Sequence, residues 1–218
     1  MNSTYSQKFP VPIVLLISIC GLIEFVCLIF DFGFFSNRNF RQIIMVIGAF
    51  WPTLINGEFV GLYNSQKYTM FITHAFLHGN FLHFLMNSVV LLSLGKMILF
   101  RLGNFLSTLL FFVSAMSGGL VFYLLNNSNS PMIGASGAVF GFIGVWQYYD
   151  LSFRLKRNES IKPFLGTIFA LIIGNIIIAF FLGGGLAWEA HLGGFIVGFI
   201  FVPFLRTLKI LSFLKVDD

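Results

Sequence analysis

Between Val11 and Phe30 the chain runs for twenty residues with a single charge, Glu24. A helix of that length rises roughly 30 Å, the thickness of a bilayer's hydrocarbon core. Apolar stretches of similar length recur at roughly 80–100, 104–125, 135–151, 163–182 and 188–205. With 57% hydrophobic residues, 10% charged ones and a mean hydropathy of +0.91, a soluble globule could not bury this much apolar surface. Lipid offers the backbone no hydrogen-bond partners, so the expectation is an all-α polytopic membrane protein with six transmembrane helices.

The separators are short: 101–103, 126–131, 154–162 and 183–185. Residues 31–78 differ, because Arg38, Arg41, Glu58 and Lys67 interrupt apolar pieces such as 45–51 and 59–63. That segment reads as a long, partly interfacial loop with amphipathic pieces between the first two spans. A further span over about 43–60 is the alternative to this count. The first apolar run is too long for a signal peptide and lacks an Ala-x-Ala cleavage pattern, so it reads as a span. Glu24 within it is expected to face the bundle.

Three regions follow: a short cytoplasmic N-terminus over 1–9, a membrane domain over 10–206 and a cytoplasmic tail over 207–218. Of the 13 Lys and Arg residues, ten fall on one side if the N-terminus is inside: Lys8, Lys96, Arg101, Arg154, Lys156, Arg157, Lys162, Arg206, Lys209 and Lys215. Arg38, Arg41 and Lys67 fall outside. The bias predicts both termini in the cytoplasm of a multi-pass cell-membrane protein, with the bacterial inner membrane as the expected location.

The basic residues do not cluster with aromatics on a soluble face, so no nucleic-acid partner is expected; the lipid bilayer is the expected surrounding. Cys20 and Cys27 share a helix face, too far apart to bond to each other, and read as lipid or packing residues. No metal-ligand or redox spacing occurs, and no cofactor is expected.

Chemistry points to Gly134-Ala135-Ser136-Gly137, where a polar loop gives way to an apolar helix. A serine there has an exposed hydroxyl and a helix N-terminus behind it, a good position for a nucleophile. Gly and Ser are also the packing residues of membrane helices, so the motif needs support from elsewhere. In a six-helix, N-inside arrangement the second, fourth and sixth spans all start at the outer face. His83 and Asn87 then lie in the first turns of the second span, Ser136 opens the fourth, and His191 lies near the start of the sixth. His83 and Asn87 are four apart and stack on one face, where both can donate hydrogen bonds; interhelical bonding is the other use of such a pair. Gly137 with Gly141, and Gly194 with Gly198, form small-residue faces that let helices approach closely. His191 shares a side with Gly194 and Gly198, which turns its ring toward the helix that packs there.

These pieces resemble the rhomboid family of intramembrane serine proteases. The resemblance rests on Thr73-His74-Ala75-Phe76-Leu77-His78-Gly79-Asn80-Phe81-Leu82-His83-Phe84-Leu85-Met86-Asn87, on Gly134-Ala135-Ser136-Gly137, and on Ala190-His191-Leu192-Gly193-Gly194-Phe195-Ile196-Val197-Gly198, across roughly residues 45–205. It implies a six-helix rhomboid-like bundle and a serine endopeptidase that cuts transmembrane segments of other membrane proteins. It makes Ser136 the nucleophile and His191 its base, a dyad without a carboxylate. The oxyanion would be held by the Ser136 backbone N–H and the side chains of His83 and Asn87. Phe140 matches a position where the family often has an aromatic ring against the base, or is ordinary packing; His78 matches a common family histidine. His74 and His78 read as loop-end hydrogen bonders, and Glu189 as an interfacial carboxylate pointing away from His191.

The chain departs from the family's habits at two scaffold positions. Thr69-Met70 stand where a Trp-Arg pair is frequent, and Leu99 where Glu is frequent, which bears on loop anchoring rather than on the dyad. The alternative function is a catalytically inactive rhomboid-like protein that binds or escorts client membrane proteins. A metal or haem site would leave Asn87 unexplained, and Asp31 and Asp150 fall on opposite sides of the membrane, too far apart for an aspartyl pair. Substrate identity and oligomeric state are not encoded in these motifs.

Overall fold

The computed structural model describes residues 10–34, 39–127, 129–183, 185–208 and 210. The expected cytoplasmic N-terminus, Arg38, Lys209 and residues 211–218 of the expected tail lie outside the described residues. The described chain is helical: α1 (Val11–Asp31), α2 (Phe40–Gly48), α3 (Pro52–Asn56), α4 (Gln66–Thr73), a 3-10 turn (His74–Phe76), α5 (Phe81–Leu125), α6 (Ser136–Lys156), α7 (Lys162–Phe181) and α8 (Trp188–Thr207). Four of these, α1, α5, α7 and α8, are long and apolar enough to cross a membrane.

Helix α5 has 45 residues, about twice the length needed for one crossing. It is broken at Gly103, whose φ of 76° and ψ of 175° are accessible only to glycine. The separator expected over 101–103 is therefore reduced to one residue. Helix α6 is of spanning length at 21 residues but falls outside the apolar set. The reason is its place. It packs between α5 and α8, burying Gly137 through Val145 except Phe140, and Gln147, so its N-terminal half meets mostly protein and need not be apolar toward lipid. Helix α7 is the opposite case, burying none of its described residues.

Between α1 and α5 the chain forms the three short helices α2, α3 and α4 where a loop with amphipathic pieces was expected. No helix runs across 43–60. Helix α2 stops at Gly48 because Ala49 turns extended, and Phe50 pairs antiparallel with Met132, the two backbones exchanging hydrogen bonds of 2.9 Å. The free carbonyls at the end of α2 are taken up by side chains: Gln66 donates to Val46 and Ile47, and Thr73 to Gly48.

Arg41 anchors this region. Its guanidinium binds both carboxylate oxygens of Glu24 at 2.7 and 2.9 Å, Asp31 at 2.7 Å and the His78 carbonyl at 2.7 Å. Glu24 is 2% exposed and faces the bundle, as its place in an apolar run required. Loop anchoring thus falls to an arginine 29 positions before Met70, which is itself fully buried and accepts a bond from the Trp51 N–H. Leu99 is a core residue. Cys20 and Cys27 are free and buried, which settles them as packing residues.

Candidate active site

The segment before α6 is pinned on both sides. Met132 bridges to Phe50, and the Gly134 N–H donates to the His74 carbonyl at 2.9 Å. His74 is fixed in turn by a 2.7 Å bond between its Nδ1 and the Met70 carbonyl. Gly134 has φ +121°, and a Cβ there would lie 2.7 Å from Cε1 and Nε2 of the His83 ring and 3.7 Å from Ser136 Oγ. Gly134 is therefore required twice, for its backbone and for the space that the His83 ring occupies. Its position also brings His83 and Ser136 within 4 Å of one point.

Ser136 is the first residue of α6, with no side-chain cap on that end. The first-turn N–H groups of Ser136, Gly137 and Ala138 thus have no partners within the helix. On α5, Asn80 caps the first turn by accepting the His83 N–H at 2.9 Å, which fixes where His83 and Asn87 begin. The Asn87 side-chain N–H2 is buried and bonds nothing among the described residues, so its donors are available.

His191 arrives from α8. The two chain neighbours Gly137 and Ala190 touch: a Cβ at Gly137 would lie 3.4 Å from the Ala190 carbonyl, and one at Gly118 only 3.0 Å from the same oxygen. Further along, a Cβ at Gly194 would collide with the Gly137 backbone, and one at Gly198 with that of Gly141. The small-residue faces read in the sequence do meet each other. The Phe140 ring lies flat on the His191 ring, with centroids 4.2 Å apart and planes within 7°. Among the described residues no hydrogen bond joins Ser136 to His191, as is common before substrate tightens such a contact.

Asn175, on α7, was not singled out in the sequence. Its Oδ1 lies 2.6 Å from His191 Nδ1. The one amide side chain in the apolar run 163–182 was the available signal. Glu189, in the first turn of α8, is buried at 4% exposure and accepts a 2.8 Å bond from Asn126 at the end of α5. His78 is not the hydrogen bonder expected. Neither ring nitrogen has a well-formed bond among the described residues, and the ring packs edge-on against His83 and Phe84. No group of three or more His, Cys, Asp or Glu residues that could hold a metal occurs among the described residues.

Comparison with known proteins matches the rhomboid domain to residues 65–207, well over half the chain. Rhomboid-like protease 1 of Toxoplasma gondii is 31% identical over 191 residues, covering 86% of this chain and 61% of that protein. RHOMBOID-like protein 5 of Arabidopsis thaliana is 29% identical over 187 residues, covering 84% of this chain and 59% of its own. The chain thus spans about three fifths of the length of these relatives. On this match and its apolar helices, the chain belongs to the rhomboid family and is a multi-pass membrane protein.

Proposed function

We propose that the chain is an intramembrane serine endopeptidase acting on transmembrane segments of other membrane proteins. The observation that carries this reading is the convergence on Gly134: the Ser136 hydroxyl and the His83 ring flank it, while Gly137 and Ala190, the neighbours of Ser136 and His191, are in contact. In this reading His191 Nε2 takes the Ser136 proton as Oγ attacks a peptide carbonyl carbon. The resulting oxyanion is held by the Ser136 N–H, His83 and Asn87, groups placed before the charge develops. Collapse expels the amine, which receives its proton from His191, and water then releases the acyl group by the reverse proton path.

The break at Gly103 divides α5 into two arms of spanning length. With α1, α6, α7 and α8 this supports six spans and termini on one side of the membrane; the Lys and Arg bias of the sequence makes that side the cytoplasm, with the site in the outer half. Substrates then present a segment that leaves its helix easily, since a peptide bond must give up its helical hydrogen bonding before attack. The test is incubation of purified protein with a generic transmembrane substrate. Wild type should cut it and Ser136→Ala should not. A folded wild type without activity would favour the client-binding alternative.

A further inference from the structure

We infer that Asn175 is the positioning residue of the base: its Oδ1 accepts the N–H of His191 Nδ1, which leaves the Nε2 lone pair free for Ser136. The inference rests on the Ser136–His191 reading above. The orientation of the Asn175 amide follows from its other bond. Its Nδ2 donates to the Leu171 carbonyl, one turn back, at 2.8 Å. A carbonyl can only accept, so turning the amide over would set two acceptors against each other. Oδ1 therefore faces His191, and across 2.6 Å the ring nitrogen must be the donor. A neutral imidazole carries one N–H, so with the proton on Nδ1 the base nitrogen is Nε2.

Two further features hold the ring. Phe140 covers one face in parallel stacking. Asn175 and His191 both line a cavity of about 500 Å³ between α7 and α8 whose other walls, among them Leu171, Trp188 and Phe195, are apolar. No wall residue competes for the Nδ1 proton. The carboxylate nearest in sequence, Glu189, is engaged by Asn126 instead. An amide thus does for this histidine what a buried carboxylate does in a triad, without bringing a charge into the membrane. Because Asn175 sits on α7, which buries none of its described residues, the orientation of the base depends on where α7 rests.

The test compares wild type with Asn175→Leu, Asn175→Ala and Asn175→Asp, the last keeping an accepting oxygen. Leu and Ala should lower kcat on a transmembrane substrate by about 10-fold or more with KM unchanged, the usual loss when a histidine's orienting partner is removed. Asp should restore most of it. Ring 15N spectra of His191, assigned by difference from His191→Ala, should show Nδ1 protonated in wild type and a mixture of tautomers in Asn175→Leu. A merely structural contact would change thermal stability and leave both readouts in place. An active wild type with Asn175→Leu equally fast and an unchanged ring spectrum would overturn the inference. If wild type neither cuts nor binds substrate, the protease reading fails, and the ring spectra still decide whether Asn175 sets the tautomer.

Discussion

At Gly134 two requirements coincide, a backbone φ of +121° and room for the His83 ring. Gly134→Ala should therefore reduce turnover far more than it reduces stability, because the added methyl displaces an oxyanion donor. Parallel measurement of kcat and thermal midpoint checks this; a loss of both in proportion would make Gly134 a folding residue only. His83→Ala and Asn87→Ala should each cost about 3 kcal/mol of transition-state stabilisation, ~100-fold or more in rate, while leaving the fold intact. Wild-type turnover in both variants would reduce the pair to interhelical glue. These residues were legible in the sequence because spacing and motif place them. Asn175 was not, since its partner lies 16 positions away on another helix. The Asn126 partner of Glu189 was not legible either, since it lies 63 positions away on another helix.

Among the elements, the short helices between α1 and α5 depend on Arg41. Removing it leaves Glu24 buried and unpaired, and Arg41→Ala should cost about 3–5 kcal/mol, the usual loss on breaking a buried pair. Unfolding in detergent measures it, and a loss within error would show that α2 is held by the side-chain bonds at its C-terminus alone. The same region carries a pH dependence. Burial pushes the His74 ring down to about 4, and burial followed by the neighbouring His83 and Arg41 pushes His78 down to about 3. Unfolded, both protonate near 6.5, so as pH falls the unfolded chain takes up protons first. Stability should be greatest above pH 6.5 and decline from there through about 4 for His74 and about 3 for His78. Thermal midpoints across that range should show the decline, and His78→Phe should flatten it. The amphipathic pieces of 31–78 were visible in the sequence, but their anchor was not, because a lone arginine does not disclose a partner 17 positions back.

For the whole molecule, hydrophobic length made the spans readable, and the break at Gly103 fell where a charge and a glycine had marked a separator. The lower hydropathy of α6 has a physical cause that emerges only from packing, since the half of the helix buried between α5 and α8 need not be apolar toward lipid. A reporter fused at the C-terminus should report the cytoplasmic side; an outside signal would remove the shared depth of Ser136, His83 and His191. The account stands most directly on whether Ser136 is an activated nucleophile. A serine hydroxyl reacts poorly without a base, so a fluorophosphonate should label wild type at Ser136, label His191→Ala far more slowly, spare Ser136→Ala, and label Glu189→Gln nearly as fast as wild type. A folded wild type that takes up no probe, or His191→Ala labelled at the wild-type rate, would contradict it.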